Sequence, residues 1–427
     1  MSYDTLVVGA GLAGLTAALR LAERGQRVLV AARGVGATHL APATVDVLGY
    51  LGDARVDSPA RSLAALLASA PDHPYRHVPA ERMTTALEWF AERAGTLGYS
   101  GNLDANMLLP TAVGVPKPSA LAPQTMTGGD LRDGGRFAFV GFKGFKDFHP
   151  ALIADNLGRA RLPAPITARA IELEPPASRI GDLSGRVLAG RFDHGELTDW
   201  LGGALMDRID ADERIGVPAV LGLRKAVETW RDLESRLGRK VFEVATLPPS
   251  VPGIRLYEAM AAALRDGGVR IVHGVRVSGA HANNRRIETV DVVNATGSVS
   301  YPVQAVVLAS GGFASGGLEL DSFGTTRETV FDLPVIGVQS TDRVRFAPRY
   351  FDAQPLAGAG VATDDLLRPI DTAGDPVYAN LYAAGAIIGG AVPWREKSGT
   401  GISIVTGYAA AEAILTPTTL AATEAVR

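Results

Sequence analysis

Residues 4–33, DTLVVGAGLAGLTAALRLAERGQRVLVAAR, decide the fold of this chain. The short apolar run at 4–8 predicts a strand, the glycines after it predict a tight turn, and residues 15–24 have the spacing of a helix. Gly25 ends that helix, and residues 27–32 predict a second strand. A strand, a helix and a strand in so short a length predict a βαβ unit of a parallel α/β sheet.

The turn in this unit matches the pattern G-x-G-x-x-G at Gly9, Gly11 and Gly14. Gly9 permits the tight turn, Gly11 lets a phosphate approach the backbone, and Gly14 lets the helix pack closely on the strand. The start of the helix would then direct its free N–H groups and positive dipole end at a pyrophosphate. The motif therefore predicts a bound dinucleotide, and its position between a strand and a helix argues against a chance match.

The end of the second strand departs from this pattern. An acidic residue is expected there, where it binds the ribose hydroxyls of the nucleotide. This chain has Ala31, Ala32 and Arg33 instead. Either Arg33 lies over a phosphate or the adenine, or the cofactor lacks that ribose.

Two further glycine-rich stretches follow predicted strands in the second half of the chain. Small residues there would let the backbone pass close to a nucleotide seated on the first unit. In flavoproteins of this architecture, the last helix directs its N-terminus at the flavin pyrimidine ring, where its dipole stabilises the reduced flavin. With Thr38, which is expected to bond the phosphates or the flavin, the candidate cofactor-binding residues here are Ala309, Gly311, Gly312, Gly385, Gly399, Gly401 and Ile402.

The composition excludes several classes of function. The chain has 427 residues with 42 Lys and Arg against 45 Asp and Glu, and its formal charge is −3. So balanced a charge gives no electrostatic reason to expect a nucleic-acid partner. Because the chain has no cysteine, it can hold neither a thiolate nucleophile nor a Cys-ligated iron–sulfur cluster. Redox chemistry would need an organic cofactor or a metal site without cysteine.

The N-terminus lacks the basic region of a signal peptide. No run of about 18 apolar residues lacks a charge, a glycine or a proline, so we expect no transmembrane helix. These two features favour a cytoplasmic protein that reaches a membrane only through a partner, at its inner face.

The middle of the chain predicts a second part inserted into the first. Between residues 61 and 244 the pattern gives helices and short strands, and the aromatic residues at 137–148 are expected to be core. After about residue 245 a second nucleotide-fold half returns. Its predicted elements are a helix at 255–266, strands at 269–273, 288–295, 305–308 and 381–383, and a closing helix at 399–415. The expected fold class is α/β, a Rossmann-like two-part flavin-nucleotide-binding domain (1–60 and 245–427) with an inserted α/β middle domain (61–244).

Over nearly its whole length the chain resembles the B-subunit family of anaerobic glycerol-3-phosphate dehydrogenases. Several of the stretches that carry this resemblance are not general flavoprotein features. They lie at residues 3–14, 36–39, 45–48, 144–148, 247–256, 308–317, 360–364 and 380–390. The chain departs from the family after Gly390, where the usual cysteine-containing turn is replaced by residues 391–401.

The resemblance implies a flavoprotein subunit of a three-part complex with a second flavoprotein subunit and a membrane-associated iron–sulfur subunit. Such a complex oxidises a small phosphorylated substrate, glycerol 3-phosphate, to dihydroxyacetone phosphate and passes the electrons to quinone. The family's flavin is usually assigned as FMN, whereas the glycine motif favours FAD. Two other functions stay open: a non-catalytic electron-transfer or assembly subunit, and a free-standing flavin dehydrogenase or reductase of the fumarate-reductase or ketosteroid-dehydrogenase type.

The polar candidates for catalysis are few. His39 follows the second strand, in a loop expected near the flavin, and is either a proton acceptor or a structural histidine. Arg255 either holds a phosphate or caps its helix. Arg395 and Lys397 are placed to attract a phosphate, although Glu396 between them favours a solvated loop.

A metal site is not expected in this chain. His73 and His77 have a metal-like spacing, but they stand in a proline-containing loop. That loop supplies no evident third ligand.

Overall fold

We describe a computed structural model of the chain over residues 2–176, 183–338 and 346–416. The α-helices of this part are α1 (Leu12–Glu23), α2 (Pro59–Ser69), α3 (Ala80–Arg93), α4 (Gln124–Thr127), α5 (Pro150–Arg159), α6 (Gly185–Asp193), α7 (Glu196–Leu205), α8 (Ala226–Leu237), α9 (Val251–Asp266), α10 (Pro393–Glu396) and α11 (Gly399–Leu415). The strands of the first half are β1 (Thr5–Val8), β2 (Val28–Ala32), β3 (Tyr50–Leu51), β4 (Ala54–Arg55), β5 (Tyr99–Gly101), β6 (Met107–Leu109), β7 (Lys117–Ser119), β8 (Leu121–Pro123), β9 (Gly135–Phe142), β10 (Ile166–Leu173) and β11 (Glu213–Pro218). Those of the second half are β12 (Val241–Val244), β13 (Arg270–His273), β14 (Arg276–Asn283), β15 (Arg286–Asn294), β16 (Gly297–Pro302), β17 (Ala305–Leu308), β18 (Leu318–Leu320), β19 (Thr326–Glu328), β20 (Val335–Ile336), β21 (Gly360–Val361) and β22 (Leu381–Ala383).

A five-stranded parallel sheet in the order β13-β2-β1-β17-β22 is the centre of the fold. β1 and β2 come from the start of the chain and the other three strands from its second half, which confirms the expected two-part assembly. β1, β2 and β17 are buried along their whole length, as in a sheet covered on both faces. Because the strands are parallel, the residues that follow Val8, Ala32, Leu308 and Ala383 meet at one edge.

The strand predicted at residues 288–295 is present, but it lies outside the central sheet. Nearly all of them lie in β15, which pairs antiparallel with β14 and β16 in a separate three-stranded sheet. Buried and more exposed residues alternate along β15. That alternation is typical of an antiparallel sheet with one face toward the core, whereas a central parallel strand is apolar throughout.

The middle of the chain forms a second α/β layer. Its sheet has the order β10-β9-β11-β12, all parallel, and helices α5 and α8 contact it. This layer has its own hydrophobic core, in which the predicted aromatic residues are all buried, and the prediction that they are core is confirmed. They are Phe137, Phe139, Phe142, Phe145 and Phe148.

Helices α2 and α3 pack on the core of the central sheet, through residues such as Leu63 and Phe90. The domain boundaries at 60/61 and 244/245 stay a prediction. Within the residues described, no helix is both long enough and apolar enough to cross a bilayer.

Candidate functional site

The turn between β1 and α1 is built as its glycines predict. Gly9 has φ +107°, and a Cβ there would collide with the carbonyl of Ala309. A Cβ at Gly14 would collide with the carbonyl of Gly9, so helix and strand pack directly on each other. A Cβ at Gly11, in contrast, would meet no atom within 4 Å. The one open glycine is therefore the one at which a phosphate is expected to approach.

Helix α1 begins without a side-chain cap. Its N-cap is Gly11, and no side chain accepts a hydrogen bond from the first turn, although the helix is buried from Leu12 to Leu19. The first-turn N–H groups of a helix have no partner within the helix itself. A buried, uncapped helix start with open space beside it fits an anion such as the pyrophosphate of a dinucleotide.

The second glycine-rich stretch meets this turn after β17. The N–H of Ala309 donates to the carbonyl of Val8 at 2.9 Å. The hydroxyl of Ser310 is buried without a hydrogen-bond partner in the structure. Arg33 reaches the same stretch, since a Cβ at Gly316 would lie 3.2 Å from its Nη1. The structure therefore places the Arg33 side chain beside Gly316, and its role over a phosphate or the adenine stays a hypothesis.

The third stretch brings Gly385 against the start of α1. Gly385 has φ +76°, and a Cβ there would lie 2.7 Å from the Cβ of Ala13. Its N–H donates to the hydroxyl of Thr406 in α11 at 2.8 Å. Helices α1 and α11 pack closely on each other, because a Cβ at Gly407 would meet the carbonyl of Ala13 at 2.5 Å. The start of α1 thus packs on the middle of α11 and on Gly385 through small residues.

Backbone N–H groups at the start of α11 already donate to other parts of the chain. The N–H of Gly401 donates to the carbonyl of Asp46 at 2.9 Å, and the N–H of Ile402 donates to the carbonyl of Ser398 at 2.9 Å. The N–H of Asp46 donates to the hydroxyl of Thr400 at 2.7 Å. Gly399, which was predicted to bind the cofactor, lies in the first turn of α11, and its N–H takes part in none of these bonds. Gly401 holds the loop that contains Asp46, whereas the N–H of Ile402 is used within the first turn of the helix.

Thr38 and His39 lie in a 3₁₀ turn, Gly36–Leu40, that passes over Gly11. The hydroxyl of Thr38 is buried without a partner. The ring of His39 packs edge-on against Tyr257 of α9, with 4.9 Å between centroids, and its Nε2 is buried without a partner. Burial lowers the pKa of His39, so that its imidazole is neutral near pH 7. Its contact with α9 supports the structural role, and catalysis by His39 stays a hypothesis.

The prediction of a solvated loop at 395–397 is wrong for Glu396. The Glu396 side chain is only 15% exposed, and Nε2 of His73 lies 3.2 Å from its carboxylate. The N–H of Val392 and the hydroxyl of Ser398 also donate to it, both at 2.7 Å. Tertiary packing buries this carboxylate, since His73, which contacts it, belongs to a loop that is distant in the sequence. The Nδ1 of His73 accepts from the N–H of Tyr75, which leaves Nε2 as the donor.

Two groups near the start of α11 were not predicted from the sequence. The buried Tyr75 donates its hydroxyl to the carbonyl of Val47 at 3.0 Å. Asp46 forms an ion pair with Lys117, 2.5 Å between Nζ and Oδ2. Asp46 belongs to a stretch that carried the family resemblance, but nothing local in the sequence connects it to Lys117.

Arg255 is not free to hold a phosphate. Its guanidinium donates twice to the carboxylate of Glu243, at 2.6 and 2.9 Å, and both side chains are almost fully buried. Its Nε donates to the carbonyl of Gly222 at 2.6 Å. The described residues contain no group of three or more His, Asp or Glu that could hold a metal ion.

These features fit FAD. The open side of Gly11 and the uncapped start of α1 would hold the pyrophosphate, and the unpaired hydroxyls of Thr38 and Ser310 lie in the two loops around it. The start of α11 would face the flavin ring.

Comparison with known proteins agrees with this interpretation. A family model described as FAD binding domain matches residues 4–402. The fold and the site are therefore those of an FAD-binding flavoprotein, and of the two flavins considered, FAD is confirmed.

Two relatives narrow this class. The B subunit of a probable anaerobic glycerol-3-phosphate dehydrogenase from Halobacterium salinarum is 35% identical, over 96% of this chain and 97% of its own length. The B subunit of the anaerobic glycerol-3-phosphate dehydrogenase from Yersinia pseudotuberculosis is 31% identical, over 97% of this chain and 98% of its own length. The chain belongs to the B-subunit family of anaerobic glycerol-3-phosphate dehydrogenases. Among solved structures, 3-ketosteroid delta1-dehydrogenase from Sterolibacterium denitrificans matches 96% of this chain and 99% of its own, at 14% identity and a TM-score of 0.46.

The buried carboxylate of Glu396 predicts a pH-dependent contribution to stability. Burial alone would raise the pKa of Glu396, but the hydrogen bonds from His73, Val392 and Ser398 lower it below its usual value. A lowered folded-state pKa stabilises the protein above the unfolded-state pKa, and this stabilisation is lost as the pH falls through the folded value. We expect Glu396→Gln to reduce the free energy of unfolding by about 1.5–3 kcal/mol at pH 7 and by less at pH 4.

Urea unfolding of both proteins at the two pH values, followed by far-UV circular dichroism, measures this difference. Glu319→Gln is the matched control, because Glu319 pairs with Arg327 on the surface with both side chains more than half exposed. That variant should change stability by less than about 1 kcal/mol. A loss in Glu396→Gln that is the same at pH 7 and pH 4 would contradict the prediction.

Proposed function

We propose that this chain is a flavoprotein subunit of a glycerol-3-phosphate:quinone oxidoreductase. The enzyme oxidises glycerol 3-phosphate to dihydroxyacetone phosphate and passes the electrons to quinone through partner subunits. The observation that carries this proposal is similarity over almost the whole chain to proteins named as the B subunit of that dehydrogenase. The uncapped start of α1 at Gly11 supports this proposal, because that helix start fits the pyrophosphate of the flavin that such chemistry needs.

When bound, FAD supplies a two-electron acceptor for the hydride of a carbinol carbon. The residues proposed to hold it are those that the structure brings to one edge of the central sheet. Gly9, Gly11 and Gly14 shape the pyrophosphate site, with Arg33 and Thr38 beside it. Ala309, Gly311, Gly312 and Gly385 let neighbouring loops approach, and Gly399 starts the helix toward the flavin.

The family name marks one subunit of a multi-subunit complex. The proposed partners are a second flavoprotein subunit and a membrane-associated iron–sulfur subunit. The absence of cysteine supports this division, since Cys-ligated iron–sulfur centres would have to lie on another chain. In this proposal the complex is cytoplasmic and is held at the inner face of the membrane by its partners.

The test is anaerobic reduction of the flavin in the purified chain. We expect the chain to carry FAD and its oxidised absorbance to bleach on addition of glycerol 3-phosphate, while glycerol 2-phosphate leaves the spectrum unchanged. The full complex should then reduce a water-soluble quinone with glycerol 3-phosphate as donor. If glycerol 3-phosphate does not reduce the FAD-loaded chain, the catalytic role of the chain is contradicted. The function that then remains is electron relay or assembly.

A further inference from the structure

A cleft of about 240 Å³ opens between the flavin-binding part and the middle layer of the molecule. This volume is a little below the range of about 300–1,000 Å³ of sites for drug-sized ligands, so the cleft suits a smaller molecule. Its walls come from the loop after β2, from β6 and β7 with their connection, and from the chain after β12. The residues that line the cleft include Leu40, Thr44, Val113, Lys117, Glu243 and Leu247.

The mouth of the cleft is apolar and its inner end is polar. Leu40, Val113 and Leu247 are large hydrophobic residues that stay 57%, 43% and 44% exposed. At the inner end, the Nζ of Lys117 lies 2.5 Å from Oδ2 of Asp46 and donates to the hydroxyl of Thr44 at 2.6 Å. An apolar wall with a few convergent polar groups is the usual form of a ligand site.

The ammonium of Lys117 keeps one hydrogen-bond donor for a ligand. A lysine ammonium has three donors, and Asp46 and Thr44 take two of them. The carboxylate of Asp46 also accepts from the hydroxyls of Thr44, at 3.0 Å, and Ser119, at 2.9 Å. The Lys117 side chain is only 17% exposed, so these neighbours hold it in place at the cleft wall.

The charges around this inner end favour an anionic ligand. Burial and then the positive charge of Lys117 lower the pKa of Lys397, whose ammonium donates to the carbonyl of Trp394 at 2.8 Å. Glu243 also lines the cleft, but its charge is balanced by Arg255 at 2.6 Å. Of the two charged residues that line the cleft, Lys117 is therefore the one that keeps a hydrogen-bond donor for an anion.

The inner end of the cleft is also connected to the expected flavin position. Thr44 lines the cleft, and Asp46, two residues later, bonds the start of α11 through both its N–H and its carbonyl. That helix start is the one proposed to face the flavin. A ligand on Lys117 would therefore lie near the ring that accepts its electrons.

We propose that this cleft is the substrate site and that Lys117 binds an anionic oxygen of the substrate, a small phosphorylated carbinol. Asp46 and Thr44 are positioning residues, which hold the ammonium of Lys117 toward the cleft. This inference rests on the proposed function and adds to it the place and the charged group that recognise the substrate.

The test compares variants of the FAD-loaded chain in anaerobic flavin reduction and in calorimetric binding of dihydroxyacetone phosphate. Lys117→Met should raise the KM for glycerol 3-phosphate and the Kd for dihydroxyacetone phosphate by about 10- to 100-fold, the effect of one lost charge-assisted hydrogen bond. Lys117→Arg should restore part of the affinity. The control Lys143→Met removes an exposed lysine that pairs with Glu174, and it should leave both values unchanged.

A second variant keeps the polar cluster intact. Val113→Trp at the mouth should obstruct the cleft and weaken binding of dihydroxyacetone phosphate, whereas Val299→Trp, at an exposed position on β16, should not. Flavin content and melting temperature identify any variant that fails to fold.

The outcomes separate the two proposals. If the parent chain neither binds dihydroxyacetone phosphate nor is reduced by glycerol 3-phosphate, the proposed function fails and this inference fails with it. If the parent chain does both and the folded Lys117→Met and Val113→Trp variants behave like it, only the inference is overturned.

Discussion

Gly11→Val is expected to fold like the parent chain and to purify without its flavin. Gly11 has φ −75° and ψ 175°, a conformation that valine adopts readily, and a Cβ there would meet nothing within 4 Å. The new side chain would instead fill the open space at the start of α1, where the pyrophosphate is expected to approach the N–H groups. We expect the Kd for FAD to rise by about 100-fold, or about 2.7 kcal/mol.

Flavin fluorescence titration of the deflavinated proteins measures this Kd, and circular dichroism checks the fold. Gly203→Val is the matched control, since Gly203 is an exposed glycine of α7 that also has nothing within 4 Å of a Cβ. Gly14→Val should fail differently, by misfolding, because its Cβ would collide with the carbonyl of Gly9. If the Gly11→Val protein binds FAD as tightly as the parent chain, the pyrophosphate does not lie at the start of α1.

The second large effect concerns the buried pair of Arg255 and Glu243. Arg255 comes from α9, and Glu243 comes from β12 of the middle layer, so the pair connects the two halves of the molecule. Glu243 also accepts from the hydroxyl of Thr125 at 2.8 Å and the N–H of Leu221 at 3.0 Å. Removing one partner leaves the other charge buried without compensation, so Arg255→Leu should destabilise the protein by about 3–5 kcal/mol.

Urea unfolding at pH 7 measures this loss from the shift of the midpoint. The double variant Arg255→Leu with Glu243→Leu should lose less than the sum of the two single variants, because neither charge is then left alone. Lys143→Met removes one partner of an exposed pair and should cost less than about 1 kcal/mol. A loss in Arg255→Leu as small as that of Lys143→Met would show that Glu243 is not left unpaired.

Local sequence patterns predicted the regular elements well. The strands at 305–308 and 381–383 and the closing helix at 399–415 have the predicted bounds in the structure. The first unit was also predicted to within a few residues. Each of these elements follows from residues that are close together in the chain, through apolar spacing and glycine stops.

Other features could not be predicted, because distant residues create them. Residues 288–295 were predicted as a strand, but their partners in the antiparallel sheet depend on packing. Glu396 was expected in solvent and is buried because His73, from another loop, reaches it. Lys117 is a similar case, because no local pattern in the sequence predicts that its ammonium pairs with Asp46.

By itself, the sequence determined the βαβ unit, the glycine turn that favours a pyrophosphate, and the exclusion of cysteine chemistry on this chain. The reason is that spacing, backbone freedom and composition are properties of neighbouring residues or of simple counts. Only the tertiary structure decided which glycines are open to a ligand and which are closed by packing, as Gly11 and Gly14 show. It also decided which charges are paired, since Asp46 meets Lys117 and Glu243 meets Arg255 only in the folded chain.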